Sequence, residues 1–91
     1  MDVEWDDDNV GHLARHGITA DEVEEVISGP TIRRRGGTDA PDRFRILGRT
    51  SGGRYLAVVC QGKSEGLIRP ITGWEMGRSE REIYDRQIGE R

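Results

Sequence analysis

Glycine-containing turns divide the middle of the chain into short runs, and this spacing restricts the possible fold more than any other feature. The turn signals are Gly36-Gly37, Ser51-Gly52-Gly53 and Glu65-Gly66. They separate four apolar or alternating runs, which are Thr31–Arg35, Arg43–Arg49, Tyr55–Gln61 and Leu67–Thr72. Short runs joined by such turns are typical of β-strands that follow one another along the chain. The pattern therefore predicts an antiparallel meander of four strands.

The predicted strands differ in how deeply they should be buried. Tyr55–Gln61 is the most apolar run, so we expect it in the middle of the sheet. Either its even-numbered residues, Leu56, Val58 and Cys60, or the odd-numbered set should face the core. Pro70 has no N–H to donate, which predicts an edge or a bulge in the last strand.

Helix signals lie on both sides of these strands. Val3-Glu4-Trp5 predicts a short first strand, and Asp6, Asp7 and Asp8 suit the beginning of a helix that ends at Gly17. A second helix should begin at Thr19 or Ala20, because Thr19 and Glu22 form a capping box. Ser28-Gly29-Pro30 should end it.

A second capping box, Ser79 with Glu82, predicts a C-terminal helix that runs to about Ile88. The predicted order is β-α-α-β-β-β-β-α. This order indicates an α+β fold in which the helices pack on one face of a small antiparallel sheet.

Length and composition indicate a single domain, residues 1–91. Hydrophobic residues make up 33% of the chain and charged residues 34%, so the domain should be only modestly stable without a partner. The one cysteine, Cys60, cannot form an internal disulfide, and no apolar run is long enough to cross a bilayer. We expect a cytoplasmic protein without a membrane partner.

The net charge of −3 conceals an uneven distribution along the chain. Residues 1–30 carry nine acidic residues against one Arg, and residues 31–60 carry seven Arg against two Asp. Arginine suits bidentate contact with phosphate or carboxylate. The arginines of the middle third are therefore candidates for RNA contact, although they could equally form a solvated sheet face that pairs with the acidic first third.

Several motifs occur in an order that resembles the BrnT family of toxins. The motifs are Val3-Glu4-Trp5-Asp6, Arg15-His16-Gly17-Ile18, Asp21-Glu22-Val23-Glu24-Glu25-Val26, Arg43-Phe44-Arg45-Ile46-Leu47-Gly48-Arg49-Thr50, Gly53-Arg54-Tyr55-Leu56-Ala57-Val58-Val59, Ile68-Arg69-Pro70-Ile71-Thr72 and Ser79-Glu80-Arg81-Glu82-Ile83-Tyr84. The resemblance spans nearly the whole chain. It implies the RelE-like fold and the toxin of a type II toxin–antitoxin pair, a ribonuclease that a cognate antitoxin neutralises.

Ribonucleases of that fold need no metal or cofactor, because the RNA 2′-hydroxyl attacks the adjacent phosphate while cations stabilise the phosphorane. The catalytic candidates for this chemistry are Arg49, Arg69, Arg81, His16 and Tyr84. The three arginines should converge with Tyr84 or His16 on one cleft between the sheet and the C-terminal helix. The candidates for RNA binding are Arg33, Arg35, Arg45, Arg54 and Arg78.

Ordinary structural roles remain open for several of these residues. His16 could bond a backbone group at a helix end, Tyr84 could pack on the sheet, and Arg69 could either reach a cleft or be buried in an apolar strand. His12 and His16 have metal-ligand spacing, but no third ligand is evident, and no metal is expected.

The alternative function is a catalytically silent module of the same fold that only binds a partner protein or RNA. Thr72-Gly73-Trp74 stands where the family continues its last strand with Thr-Ala-Arg. An arginine is therefore missing at Trp74, which favours this alternative.

Overall fold

The computed structural model describes residues 1–35 and 40–89. Within them, the helices are α1 (Asp7–Arg15), α2 (Ala20–Ser28) and α3 (Arg78–Gly89). The strands are β1 (Asp2–Val3), β2 (Ile32–Arg35), β3 (Arg43–Arg49), β4 (Tyr55–Ser64) and β5 (Leu67–Glu75). The α+β class and the predicted element order are confirmed. The predicted turn at Gly36-Gly37 lies outside the described residues.

The strands form one sheet in the order β1-β5-β4-β3-β2. The antiparallel meander from β2 to β5 is confirmed, and β4 occupies the predicted central position. The first strand adds a parallel pairing, because the Glu4 N–H donates to the Ile68 carbonyl at 2.8 Å, so the sheet is mixed. The ladder shifts register between Val59 and Cys60, where Cys60 pairs with Pro70, which confirms the predicted bulge.

The sheet has a core on each face, and this corrects the expectation that all helices pack on one side. In β3 and β4, Ile46 and Val58 pack with α1 and α2, whereas Leu47 and Ala57 pack with Met76 and Tyr84 of the α3 layer. Successive residues of a strand point to opposite faces. The even-numbered set of β4 is buried as one alternative predicted, but fully buried Ala57 shows that the other face is covered too.

The ends of the helices follow local chemistry to different degrees. The Thr19–Glu22 capping box of α2 is present, and Asp6 caps α1 in a box with Asn9. The Asn9 side-chain amide also donates to the carbonyls of Glu4 and Pro70, at 2.9 and 3.0 Å, and so ties α1 to β5. The predicted Ser79–Glu82 box is wrong. The Gly77 carbonyl accepts the first helical bond of α3, from Arg81, so Ser79 already lies inside the helix.

We predict that Gly73→Ala destabilises the fold by about 1–3 kcal/mol, because added volume in a packed core forces strain. A Cβ at Gly73 would lie 2.9 Å from the Ala57 carbonyl oxygen and 3.2 Å from Ile18 Cδ1. Gly11→Ala is the matched control. Its Cβ meets nothing within 4 Å, and alanine should stabilise helix α1 by roughly 0.5–1 kcal/mol. Urea unfolding measures both changes. Equal stability of Gly73→Ala and wild type would contradict the packing described for β5.

Candidate functional site

Two guanidinium groups lie over the ring of Tyr55 at the end of the sheet. The hairpin register pairs Arg49, the last residue of β3, with Tyr55, the first residue of β4. The guanidinium carbons of Arg49 and of Arg81 on α3 are each 4.5 Å from the centre of the Tyr55 ring. The two cations are therefore within twice that distance of each other. We call Arg49, Tyr55, Arg81 and Asp85 the α3 cleft residues.

Asp85 completes this cluster from the next turn of α3. The Tyr55 hydroxyl donates to the Asp85 carboxylate, with oxygen–oxygen distances of 2.9 and 3.1 Å. The Tyr84 ring meets the Tyr55 ring in a T-shaped contact with centroids 5.9 Å apart. The phenol is thus held at its hydroxyl and at its ring, and it is half-buried.

The charges of the α3 cleft residues are available to a ligand. Within the described part of the chain, neither Arg49 nor Arg81 forms an ion pair. A guanidinium that stacks on an aromatic face keeps its N–H edge for planar anions such as phosphate or carboxylate. The cluster therefore offers two guanidiniums without ion pairs in that part of the chain, with a carboxylate and a phenol beside them.

A cavity of about 530 Å³ opens beside these residues. Its polar side is formed by Arg49, Thr50, Ser51 and Asp85, and its apolar side includes Pro30, Tyr84 and Ile88. A smaller adjoining cavity is lined by Met76, Arg78, Arg81, Glu82 and Asp85. Cations and apolar surface side by side suit a ligand that carries both a phosphate and a base.

Three of the five predicted catalytic residues meet at this place. Arg49 and Arg81 belong to the α3 cleft, and Tyr84 lines the cavity. Tyr84 is only 3% exposed, and its hydroxyl donates to the Pro30 carbonyl at 2.7 Å. These contacts give Tyr84 the packing role that was one of its two alternatives. They also explain how α3 is held over the start of β2.

Arg69 does not converge on the cleft, which corrects the prediction. Its guanidinium contacts Asp6 at 2.8 Å and Glu4 at 3.2 Å, on the side of the sheet edge where β1 leads into α1. The hydrogen bond from Arg69 lowers the pKa of Asp6. Arg69 is therefore a structural link between the last strand and the N-terminus of α1, and its charge is already neutralised.

His16 is also separate from the α3 cleft. It is the C-terminal cap of α1, where its backbone N–H donates to Leu13 at 2.9 Å, and its ring lies 4.8 Å from that of His12. The His12 ring contacts the Thr72 hydroxyl at 3.0 Å. In residues 1–35 and 40–89, no group of three or more His, Cys, Asp or Glu side chains could hold a metal ion.

Of the five predicted RNA-binding residues, Arg78 and Arg54 lie beside the cleft. Arg78 lines the smaller cavity with Arg81, and Arg54 lines a further cavity with Tyr55 and Arg81. Arg45 pairs with Glu80 at 2.8 Å. Arg54 contacts Glu22 at 2.6 Å and Glu75 at 3.1 Å.

Arg33 and Arg35 of this predicted set face the opposite side of the sheet. Their partners in β3 are Ile46 and Phe44, which pack with the α1–α2 core, and Arg33 stacks on the Phe44 ring at 4.3 Å. The predicted RNA-binding set is therefore divided between two faces and several internal ion pairs.

Two cleft residues, Tyr55 and Asp85, were not predicted as functional. The local sequence pattern identifies Tyr55 only as a strand residue, because its hydrogen-bond partner Asp85 lies 30 positions further along the chain. A usable signal is the spacing of Arg81 and Asp85, which stand at i and i+4 and so share one side of a helix.

Cys60 takes no part in a site. Burial raises the pKa of its thiol to about 12, so the thiol stays protonated and unreactive at neutral pH.

Comparison with known proteins finds no protein-family model and no characterised protein that matches this chain significantly. Among the described residues, no helix combines the length and apolar character that crossing a membrane requires.

We predict that Arg69→Ala lowers the melting temperature at pH 7 and that this difference shrinks in acid. The folded-state pKa of Asp6 is lowered, so the stabilisation is present above the unfolded-state pKa of an aspartate and is lost as the pH falls through the lower folded-state value. Thermal melts of both proteins from pH 7 to pH 2 test this. A difference that persists unchanged at pH 2 would show that Arg69 acts through packing instead.

Proposed function

We propose that the chain binds single-stranded RNA at the α3 cleft and is a metal-independent ribonuclease toxin, the function that its motifs imply. The observation that carries the proposal is the pair of guanidiniums over Tyr55, neither of which has an ion-pair partner among the described residues. Guanidiniums of this kind bind the phosphodiesters of RNA and can stabilise the additional charge of a phosphorane.

The cleft also holds the groups that move protons in such a reaction. The Asp85 carboxylate can accept the proton of the 2′-hydroxyl as the bond from O2′ to phosphorus forms. The Tyr55 hydroxyl can protonate the 5′-oxygen as the bond from phosphorus to that oxygen breaks. The 2.9 Å hydrogen bond between Tyr55 and Asp85 then lets the proton on Asp85 return to the phenolate, which restores both groups.

Part of the acidic charge is compensated by arginines outside the proposed binding pair Arg49 and Arg81. Glu4, Asp6, Glu22, Glu75 and Glu80 all form ion pairs with Arg45, Arg54 or Arg69. Those carboxylates are therefore compensated locally. The other charged side chains at the cleft and its two cavities are Arg49, Arg78 and Arg81, with Glu82 and Asp85 as opposing charges.

A second candidate function is a silent module that binds RNA without cleaving it. The separation of Arg69 and His16 from the cleft favours this function, because two of the proposed catalytic groups are absent from the place where RNA would bind. Both candidates use the same RNA-binding residues, and they differ only in whether Asp85 and Tyr55 act on the phosphodiester.

The toxin proposal includes a cognate antitoxin and a cytoplasmic location. An antitoxin that covers the cleft with carboxylates would neutralise the same guanidiniums that RNA needs. Co-expression of the chain with the product of its neighbouring gene, followed by pull-down, tests the pairing. Failure to co-purify would remove the antitoxin from the proposal without affecting RNA binding.

We predict that Arg49→Ala and Arg81→Ala each weaken RNA binding and reduce its salt dependence. Each arginine that contacts a phosphate of single-stranded RNA contributes about 0.7 to the slope of log affinity against log salt. Arg86→Ala is the control, because it removes the same charge from α3 at an exposed residue that lines none of the cleft's cavities. Fluorescence anisotropy with a labelled 12-nucleotide RNA measures the affinities. Equal losses in all three variants would indicate unspecific attraction and contradict the site.

We predict that Asp85→Asn lowers cleavage by roughly 10²-fold or more without weakening RNA binding, because it removes a proton acceptor but also a negative charge. Glu82→Gln, one turn earlier and also beside the smaller cavity, is the matched control and should cleave normally. Cleavage should persist in EDTA. Binding without any cleavage by wild type would establish the silent module instead.

A further inference from the structure

A large aromatic side chain stands exposed on the same face of the sheet as the cleft. Trp74 of β5 pairs with Ala57 of β4, whose side chain belongs to the α3-side core. Helix α3 packs mainly on β2 and β3, and β5 lies two strands away from β3 in the sheet order. Trp74 is 38% exposed. An exposed aromatic ring beside cationic side chains is the arrangement on which single-stranded nucleic acids stack their bases.

The Trp74 indole is oriented by a hydrogen bond at its edge. Its N–H donates to one oxygen of Glu80 at 3.0 Å, and the other oxygen of Glu80 accepts from Arg45 at 2.8 Å. No other ring and no guanidinium stacks on the Trp74 ring within residues 1–35 and 40–89. The ring is thus held at its edge by a carboxylate that is itself fixed, and its exposed part is accessible to a planar ligand.

Trp74 lies next to the α3 cleft. Tyr55 is two residues before Ala57 on the same face of β4, which makes Tyr55 and Trp74 diagonal neighbours on adjacent strands, about 7–8 Å apart. The adjacent residues Glu80 and Arg81 contact the two rings separately, since Glu80 holds Trp74 and Arg81 lies over Tyr55. A nucleotide whose phosphate lies on Arg81 therefore has an aromatic platform within reach of its base.

We propose that Trp74 is a base-stacking residue and that the ligand of this surface is RNA with an unpaired, unstacked base. The inference rests on the proposed RNA binding. It assigns contact with the base to Trp74, whereas the guanidiniums contact the phosphate. Every base has a π-face, so the contact selects single strands over duplexes rather than one sequence.

Trp74→Ala and Trp74→Phe are tested with two probes, a labelled 12-nucleotide single-stranded RNA and inorganic polyphosphate, which has no bases. We expect Trp74→Ala to weaken RNA binding by roughly 5- to 150-fold and to leave polyphosphate binding unchanged. Trp74→Phe should retain most of the RNA affinity. Arg49→Ala, in contrast, should weaken the binding of both probes.

A second measurement leaves Trp74 intact. In a Trp5→Phe protein the only remaining tryptophan is Trp74, whose fluorescence RNA should quench and polyphosphate should not. This background is mild, because the buried Trp5 indole nitrogen has no hydrogen-bond partner to lose among the described residues. Unchanged RNA affinity in Trp74→Ala together with a loss in Arg49→Ala would overturn the stacking role and leave RNA binding standing. Absence of RNA binding by wild type would overturn both.

Discussion

Burial of the central strand on both faces is the constraint on which the rest of the structure depends. Leu56, Val58 and Cys60 pack beneath α1 and α2, and Ala57 between them packs toward α3. Because Ala57 is small, the helix on its side can approach the sheet closely, and Tyr84 anchors that helix against the start of β2. This anchoring brings Arg81 and Asp85 over Tyr55. The candidate site is thus a consequence of the second, smaller core.

Among the described residues, some arginines form ion pairs that connect secondary-structure elements, and others form none and lie at the cleft. Arg54 connects α2 to β5 through Glu22 and Glu75, and Arg69 connects β5 to the start of α1. Ion pairs of this kind at a surface contribute little stability individually, but they neutralise charge within a Debye length of about 8–10 Å. An acidic protein can therefore keep a locally cationic cleft, provided that its carboxylates are engaged elsewhere.

Local signals predicted the elements well, and contacts between distant residues explain what was missed. The Thr19–Glu22 box lies within four residues, and the apolar character of β4 is visible in its own run, so α2 and the central strand were predictable. Arg69 was assigned to catalysis because its partner Asp6 lies 63 positions earlier. The placement of the helices was wrong because an alternating strand shows which residues share a face but not what covers that face.

The hydrogen bond between Tyr55 and Asp85 sets the relation between binding and cleavage. It holds the phenol beside the two guanidiniums of the proposed RNA site, but it also engages both oxygens of the carboxylate to which the proposed cleavage assigns the role of base. A hydrogen bond to a charged group contributes about 1.5–3 kcal/mol, so a 2′-hydroxyl must offer Asp85 a bond of similar strength before it can lose its proton. Only interactions that strengthen in the transition state accelerate a reaction. The proposed binding therefore needs no rearrangement of the Tyr55–Asp85 pair. The proposed catalysis does, because the 2′-hydroxyl of bound RNA must replace the Tyr55 hydroxyl as the hydrogen-bond donor to Asp85.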